Sequence, residues 1–219
     1  MKSNLILPHA PMPQYTSNPP LLEADVDQDP ITQFRNWLDD AIKIGMIEPI
    51  AMTLATVDAD GRPSARVVLL KGLDAQGFAF YTSYQSRKAR ALAAYPFAAA
   101  TFWWDRLERS VRIEGAVEKL TAAESEAYFR CRPQGSQVGA ITSRQSQVIA
   151  SRAELDARLA ENLARYARDP VPFDATQWGG YRIRPDLIEF WQGRDNRSHD
   201  RLRYRCAADG GWTIERLEP

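Results

Sequence analysis

Residues 189 to 206, EFWQGRDNRSHDRLRYRC, hold five arginines and one of the chain's two histidines, although 28 basic and 28 acidic side chains balance over the whole sequence. Arginine carries N–H donors and no acceptor, so crowded guanidinium groups repel one another unless an anion or carboxylates lie against them. Read as one extended strand, the segment turns Arg197, His199, Arg201, Arg203 and Arg205 to one face, with Ser198, Asp200, Leu202, Tyr204 and Cys206 on the other. That face predicts either an anion site or surface pairing with acids such as Asp200.

Two further stretches suit anions. In YQSRKARAL, Ser86 is a candidate N-cap that places Arg87 and Lys88 in the first helical turn, where the helix dipole disfavours positive charge. A phosphate at the free amides reverses that penalty; without one, the two are solvated surface cations. In FRCRPQGSQVGAI, Pro133 suits the first position of a helix and gathers Arg132, Gly135 and Ser136 at its start, as a second phosphate site or a plain cap. The chain has no G-x-G-x-x-G or Walker A pattern, which argues against Rossmann and P-loop chemistry. GSQVG is not a G-x-S-x-G nucleophile elbow, so hydrolase readings fare poorly. Tyr81 and Trp191 offer faces for a planar ligand, or belong to the core as strand aromatics often do.

The elements that must position these residues follow from local signals. Asp29-Pro30 caps a helix whose apolar stripe is Phe34, Trp37, Leu38 and Ala41, stopping near Gly45. AMTLATVD, SARVVLLKGL and FAFYTS are β-rich runs parted by Asp/Gly turns, most simply a meander. RKARALAAY is helical, FAAATFWW and RSVRIEGAVEKL are strands, and Thr121 with Glu124 and Ser151 with Glu154 predict capping boxes. GYRIR, LIEFWQG, HDRLRYRC and WTIERL return to strands. The pattern predicts a mainly β, α+β fold: an antiparallel barrel with helices outside. Residues 1–28, with Pro8, Pro11, Pro13, Pro19 and Pro20, read as an irregular arm, and 29–219 as a single domain with one core, within reach of 219 residues at 44% hydrophobic content. Zero net charge argues against a nucleic-acid partner. No apolar run approaches the ~18 residues of a membrane span, and Cys131, Cys206, His9 and His199 make no metal-ligand spacing. These features predict a cytoplasmic protein without a metal.

RVVLLKG, FYTSYQSRKA, RIEGAVEKL, YFRCRPQGSQVGA, SRQSQVI, QWGGYRI, IEFWQG, NRSHDRLRY and the closing RLEP occur in this order between about Asp29 and Pro219. In these segments the chain resembles the FMN-dependent pyridoxine/pyridoxamine 5'-phosphate oxidases. The resemblance implies an FMN-binding split β-barrel acting as a homodimer, with active sites at the subunit interface. Arg66, Val67, Val68, Leu69, Leu70, Lys71, Tyr81, Thr82, Arg87, Lys88, Gln145, Ser146, Trp191 and Arg201 match the family's FMN contacts, and Ser110 stands where a glutamine that touches the flavin is usual. Lys71, Tyr128, Arg132, Ser136, Arg197 and His199 match its substrate contacts, with Arg197 and His199 as the catalytic pair that positions the substrate and stabilises charge. The implied reaction oxidises the small-molecule substrate, pyridoxamine or pyridoxine 5'-phosphate, to pyridoxal 5'-phosphate while oxygen becomes hydrogen peroxide. Cys131 replaces a serine, Ser198 a leucine, and Met12-Pro13-Gln14 stands where arginines are common. A related flavin oxidase of another aromatic, such as a phenazine precursor, and a non-catalytic flavin- or pyridoxal-phosphate-binding protein are the alternatives.

Overall fold

A computed structural model describes Tyr15 and residues 18–219. The expected arm falls largely outside them, including Met12-Pro13-Gln14.

Helix α1 (Pro30–Lys43) opens as its sequence requires: the Asp29 carboxylate accepts from the amides of Ile31 and Thr32, and Pro30 takes a position whose N–H has no helical partner. Its apolar stripe buries Phe34, whose ring meets Phe78 and Phe102 edge-on, each at 4.9 Å between centroids. Removing a fully buried phenylalanine from such a site costs about 3 to 5 kcal/mol, so α1 anchors the barrel rather than decorating it.

Nine strands form one antiparallel sheet: β1 (Ala51–Val57), β2 (Pro63–Leu69), β3 (Gly72–Asp74), β4 (Gly77–Ser83), β5 (Phe97–Trp104), β6 (Arg109–Lys119), β7 (Trp178–Gln192), β8 (Asp200–Cys206) and β9 (Trp212–Arg216). Their order is β2-β1-β5-β6-β7-β4-β3, with β8 paired to β7 and β9 to β8. The simple meander is therefore overturned. SARVVLLKGL divides into β2 and β3 around Lys71: β1 pairs with β2 and β3 with β4, but the other partner of β4 is the distant β7, Tyr81 opposite Gly180.

GYRIR and LIEFWQG, read as two strands, are one. β6 runs beside nearly all of β7, whereas the other edge of β7 is taken by β4 as far as Ile183 and by β8 from Leu187 onward. Pro185, which has no N–H to donate, sits at this fork, opposite a register shift between Glu114 and Gly115. A Cβ on Gly115 would lie 2.0 Å from the Arg184 carbonyl oxygen, so only glycine lets the two backbones approach there.

Helix α2 (Arg87–Ala94) starts at Ser86, whose hydroxyl accepts from the Ala89 amide, as expected. Helix α3 (Ala122–Cys131) carries the complete Thr121/Glu124 capping box. Helix α5 (Arg152–Arg165) is capped by Ser151 through the Glu154 amide, while the Glu154 carboxylate pairs with Arg158. Helix α4 (Gln134–Thr142) packs against α3 through Val138 and Phe129, in a small core shared with Val171 and Trp178. Pro133 is thus the cap of α4 rather than its first residue.

Candidate active site

A 480 Å³ cavity lies between β2, β4, α3 and α4. Val67, Val68, Leu69, Lys71, Tyr81, Thr82, Lys88, Tyr128, Arg132, Ser136 and Gln145 line it together with Trp178. Alternation along β4 sends Phe80 into the core and Tyr81 outward, and Tyr81 then stacks on Tyr128 at 3.8 Å and on Trp178 at 5.6 Å, the planes within 17° and 15° of parallel. The three near-parallel rings form a stack on one side of the cavity. Gly180 opposite Tyr81 is required, because a Cβ there would lie 2.8 Å from the tyrosine ring and 2.5 Å from Leu120.

Lys88 is buried in the lining of the cavity. Its ammonium donates to Thr82 Oγ1 at 3.0 Å and to Gln145 Oε1 at 2.9 Å, both neutral. Burial, seconded by the charge of Arg66, holds its pKa down to about 8. Arg66 donates to Thr56 Oγ1, Ser64 Oγ and the Leu54 carbonyl, again all neutral, and burial and the charge of Arg87 lower its pKa too. Arg87 faces Asp58 at 3.5 Å on the exposed rim, and its backbone N–H donates to Ser146 Oγ at 3.1 Å. Three cations thus converge on the start of α2 with little negative charge, as an anion site requires.

Arg132 lines the same cavity. It caps α3, lies over the Trp178 ring at 4.9 Å, and its Nη1 is buried with no hydrogen-bond partner among the described residues. A buried guanidinium nitrogen without an acceptor is costly, so the cavity fits a ligand that supplies one. Ser136 and the start of α4 lie beside it.

Leu70 does not reach the cavity; its side chain is in the core. Ser110, Trp191 and Arg201 do not either. They stand on the outward face of β6, β7 and β8, around a separate 300 Å³ cavity with Arg112, Glu189 and Pro219. Arg201 is paired with Glu189 at 2.7 Å, and Arg203 and Arg205 with Glu215.

The single strand face of five basic residues is not formed. Asp195–Arg197 is a 3-10 turn in which Asn196 and Arg197 have φ of 54° and 61°, and β8 starts only at Asp200. This left-handed turn, rather than strand alternation, aims Arg197 and His199. His199 packs on Trp191 at 4.6 Å, and its Nδ1 accepts from the Arg194 amide at 3.1 Å. With Nδ1 occupied as an acceptor, the proton of the neutral ring resides on Nε2; burial and then Arg197 lower its pKa, which favours that neutral form.

Sequence reasoning missed Trp178, Arg194 and the seating of Tyr15. The Tyr15 ring meets Trp191 and His199, each at 5.8 Å, and rests on Gly193, where a Cβ would come within 2.5 Å of it. The irregular segment that follows is tied down by Gln192, which donates to the Pro19 carbonyl, and by Arg216, which grips Glu23, the Leu21 carbonyl and Asp200. A signal for Trp178 existed: in QWGGY, an aromatic before paired glycines marks a strand that a neighbouring side chain must cross closely.

Residues 38–164 match the family described as pyridoxamine 5'-phosphate oxidase, and residues 178–219 match the pyridoxine 5'-phosphate oxidase C-terminal dimerisation region. The chain belongs to the pyridoxamine 5'-phosphate oxidase family. It is similar to the pyridoxine/pyridoxamine 5'-phosphate oxidases of Thermosynechococcus vestitus, 59% identical over 91% of this chain and 93% of that one, and of Pseudomonas paraeruginosa, 58% identical over the same shares. Among solved structures it resembles PhzG from Burkholderia lata 383 in complex with tetrahydrophenazine-1-carboxylic acid, at 31% identity and a TM-score of 0.85, over 91% of this chain and 98% of that one. Family membership and the split sheet agree with the fold expected from sequence.

Proposed function

We propose that this chain is an FMN-dependent oxidase that converts pyridoxamine 5'-phosphate and pyridoxine 5'-phosphate to pyridoxal 5'-phosphate. The observation that carries the reading is a pair of cations lining one cavity with aromatic side chains: Lys88, with Arg66 and Arg87 near it at the start of α2, and Arg132 with its unpartnered Nη1. Two phosphates and two planar rings fit that arrangement. Relatives 55–59% identical bear the names of such oxidases, whereas PhzG is 31% identical, and the orphaned Arg132 nitrogen fits an anionic group on the substrate.

In this reading Arg66, Arg87, Lys88, Thr82, Gln145 and Ser146 hold the FMN phosphate, and Lys71, Tyr128, Arg132 and Ser136 hold that of the substrate. Bound FMN would take a hydride equivalent from the carbon bearing the amine or hydroxyl and pass two electrons to oxygen, giving hydrogen peroxide, with water consumed and ammonia released from the amine. His199, with its proton on Nε2, donates a hydrogen bond to the substrate, and Arg197 beside it stabilises negative charge. Trp191, Arg201 and Ser110 line a separate cavity, so one chain alone does not complete the site. The match of residues 178–219 to a dimerisation region supports a homodimer in which these residues meet the partner's cavity.

The test is direct. Protein stripped of ligand should bind about one FMN per chain, turn yellow, and consume oxygen with release of peroxide on adding pyridoxamine 5'-phosphate. Protein that ignores FMN, or that binds it and leaves both phosphorylated substrates untouched, would refute the reading.

A further inference from the structure

On the outward face, Arg201 is held from two sides. Its Nε donates to Glu189 Oε1 at 2.7 Å, and its Nη1 donates to the carbonyl of Glu218, the penultimate residue, at 2.9 Å. The tail is itself tied back to β8, because the Leu217 amide donates to the Arg201 carbonyl at 2.9 Å. Among the described residues Nη2 makes no hydrogen bond, and it belongs to a side chain that rims the 300 Å³ cavity with Ser110, Trp191 and Pro219.

Glu189 is the unusual member. It is 4% exposed although it stands on the sheet face turned away from the core, flanked in register by Arg112 on β6 and Arg203 on β8. Its second oxygen faces Arg112 at 3.4 Å. A carboxylate stripped of water in this way is retained at a cost unless its partners are fixed by it.

We propose that Glu189 and the C-terminal pair Glu218–Pro219 are positioning residues that lock the guanidinium of Arg201, so that its remaining N–H edge is presented to the flavin. Glu189 engages Nε and the tail engages Nη1, which leaves one edge and one orientation. The terminal residues are thereby part of the site rather than a trailing end. This rests on the proposed FMN site.

The experiment measures FMN dissociation constants, by quenching of flavin fluorescence, for ligand-free wild type, Glu189→Gln, Glu189→Leu, a chain ending at Leu217, and Arg201→Ala, followed by the first variants combined with Arg201→Ala. Loss of a charge-assisted hold should raise the constant about tenfold in Glu189→Leu and in the shortened chain, with Glu189→Gln, which keeps the acceptor, in between. In the Arg201→Ala background neither change should add more than about twofold, because residues acting through one side chain are not additive. The shortened chain leaves β9 whole and tests the idea even where the Glu189 variants fail to fold. Unchanged constants, or losses that add fully to that of Arg201→Ala, would overturn the proposal. A wild type that binds no FMN would instead remove the functional reading beneath it.

Discussion

The 480 Å³ cavity beside β4 and the strands β8 and β9 at the far end of β7 both gather cations, but in opposite company. Lys88 and Arg66 donate to hydroxyls, a carbonyl and an amide oxygen, and Arg132 keeps a buried nitrogen with no partner among the described residues. On β8 and β9, Arg201 meets Glu189, Arg203 and Arg205 meet Glu215, and Arg216 meets both Glu23 and Asp200. Cations with carboxylate partners are already neutralised and serve as oriented hydrogen-bond donors. Cations held by neutral groups carry a desolvation penalty that an anionic ligand relieves. On the proposed function, the cavity beside β4 supplies affinity for phosphates, and the paired cations of β8 set orientation.

The largest expected effect comes from the cavity. Lys88→Met should weaken FMN binding by one to two decades, as expected for losing a charge-assisted contact of roughly 1.5 to 3 kcal/mol. Its pH dependence sharpens the point. Between a folded pKa of about 8 and the ordinary lysine value of 10.5, the unfolded chain keeps a proton that the folded one lacks, so the ligand-free protein gains stability as pH rises through this window. A bound phosphate pulls the proton back. FMN affinity should therefore fall as pH rises above 8, and calorimetry in buffers of different ionisation enthalpy should show proton uptake on binding that Lys88→Met abolishes.

Arg132→Met should separate the two cation sites of the cavity. The account expects KM for pyridoxamine 5'-phosphate to rise roughly ten- to a hundredfold with the FMN constant unchanged. Equal losses of both ligands would merge the two sites into one and break the comparison.

Smaller effects belong to the far end of β7. Ser110 lies opposite both Trp191 and Trp103, and Ser110→Gln places a longer donor and acceptor beside the cavity that Arg201 rims. FMN titration should show binding tightened by up to about tenfold, one net hydrogen bond, with substrate preference unchanged. Weaker binding would mean that the glutamine clashes there. Glu23→Gln should do least. Its hydrogen bond to Arg216 holds the Glu23 pKa down to about 2, so the pair contributes stability above the usual carboxylate range that is lost as pH falls from about 4.5 toward 2. The pair is exposed and screened, so a denaturant titration at pH 7 should show under about 1 kcal/mol, alongside a few-fold rise in KM if Tyr15 loosens from His199.

What could be read from sequence was local. The Asp29-Pro30 start, the Ser86 cap and the Thr121/Glu124 box are decided within three residues, and each formed as expected. The cation cluster at the start of α2 was legible for the same reason, since Arg87 and Lys88 in a first turn conflict with the helix dipole wherever the helix lies. Strand order was not, because the pairings of β1 with β5 and of β4 with β7 join distant segments that local propensity does not distinguish. Nor was the aim of Arg197 and His199: alternation assumes extended backbone, and Asn196 and Arg197 leave it. The family resemblance supplied these two residues where the strand argument placed them wrongly.

The central claim, that neutral-held cations in the cavity exist to meet a phosphate, is tested most directly by titrating wild type and Lys88→Met with FMN and with riboflavin, which is the same ring system without the phosphate. The account predicts that wild type prefers FMN by at least about a hundredfold and that most of this preference disappears in Lys88→Met. A preference that is small in wild type, or unchanged by the substitution, would contradict it.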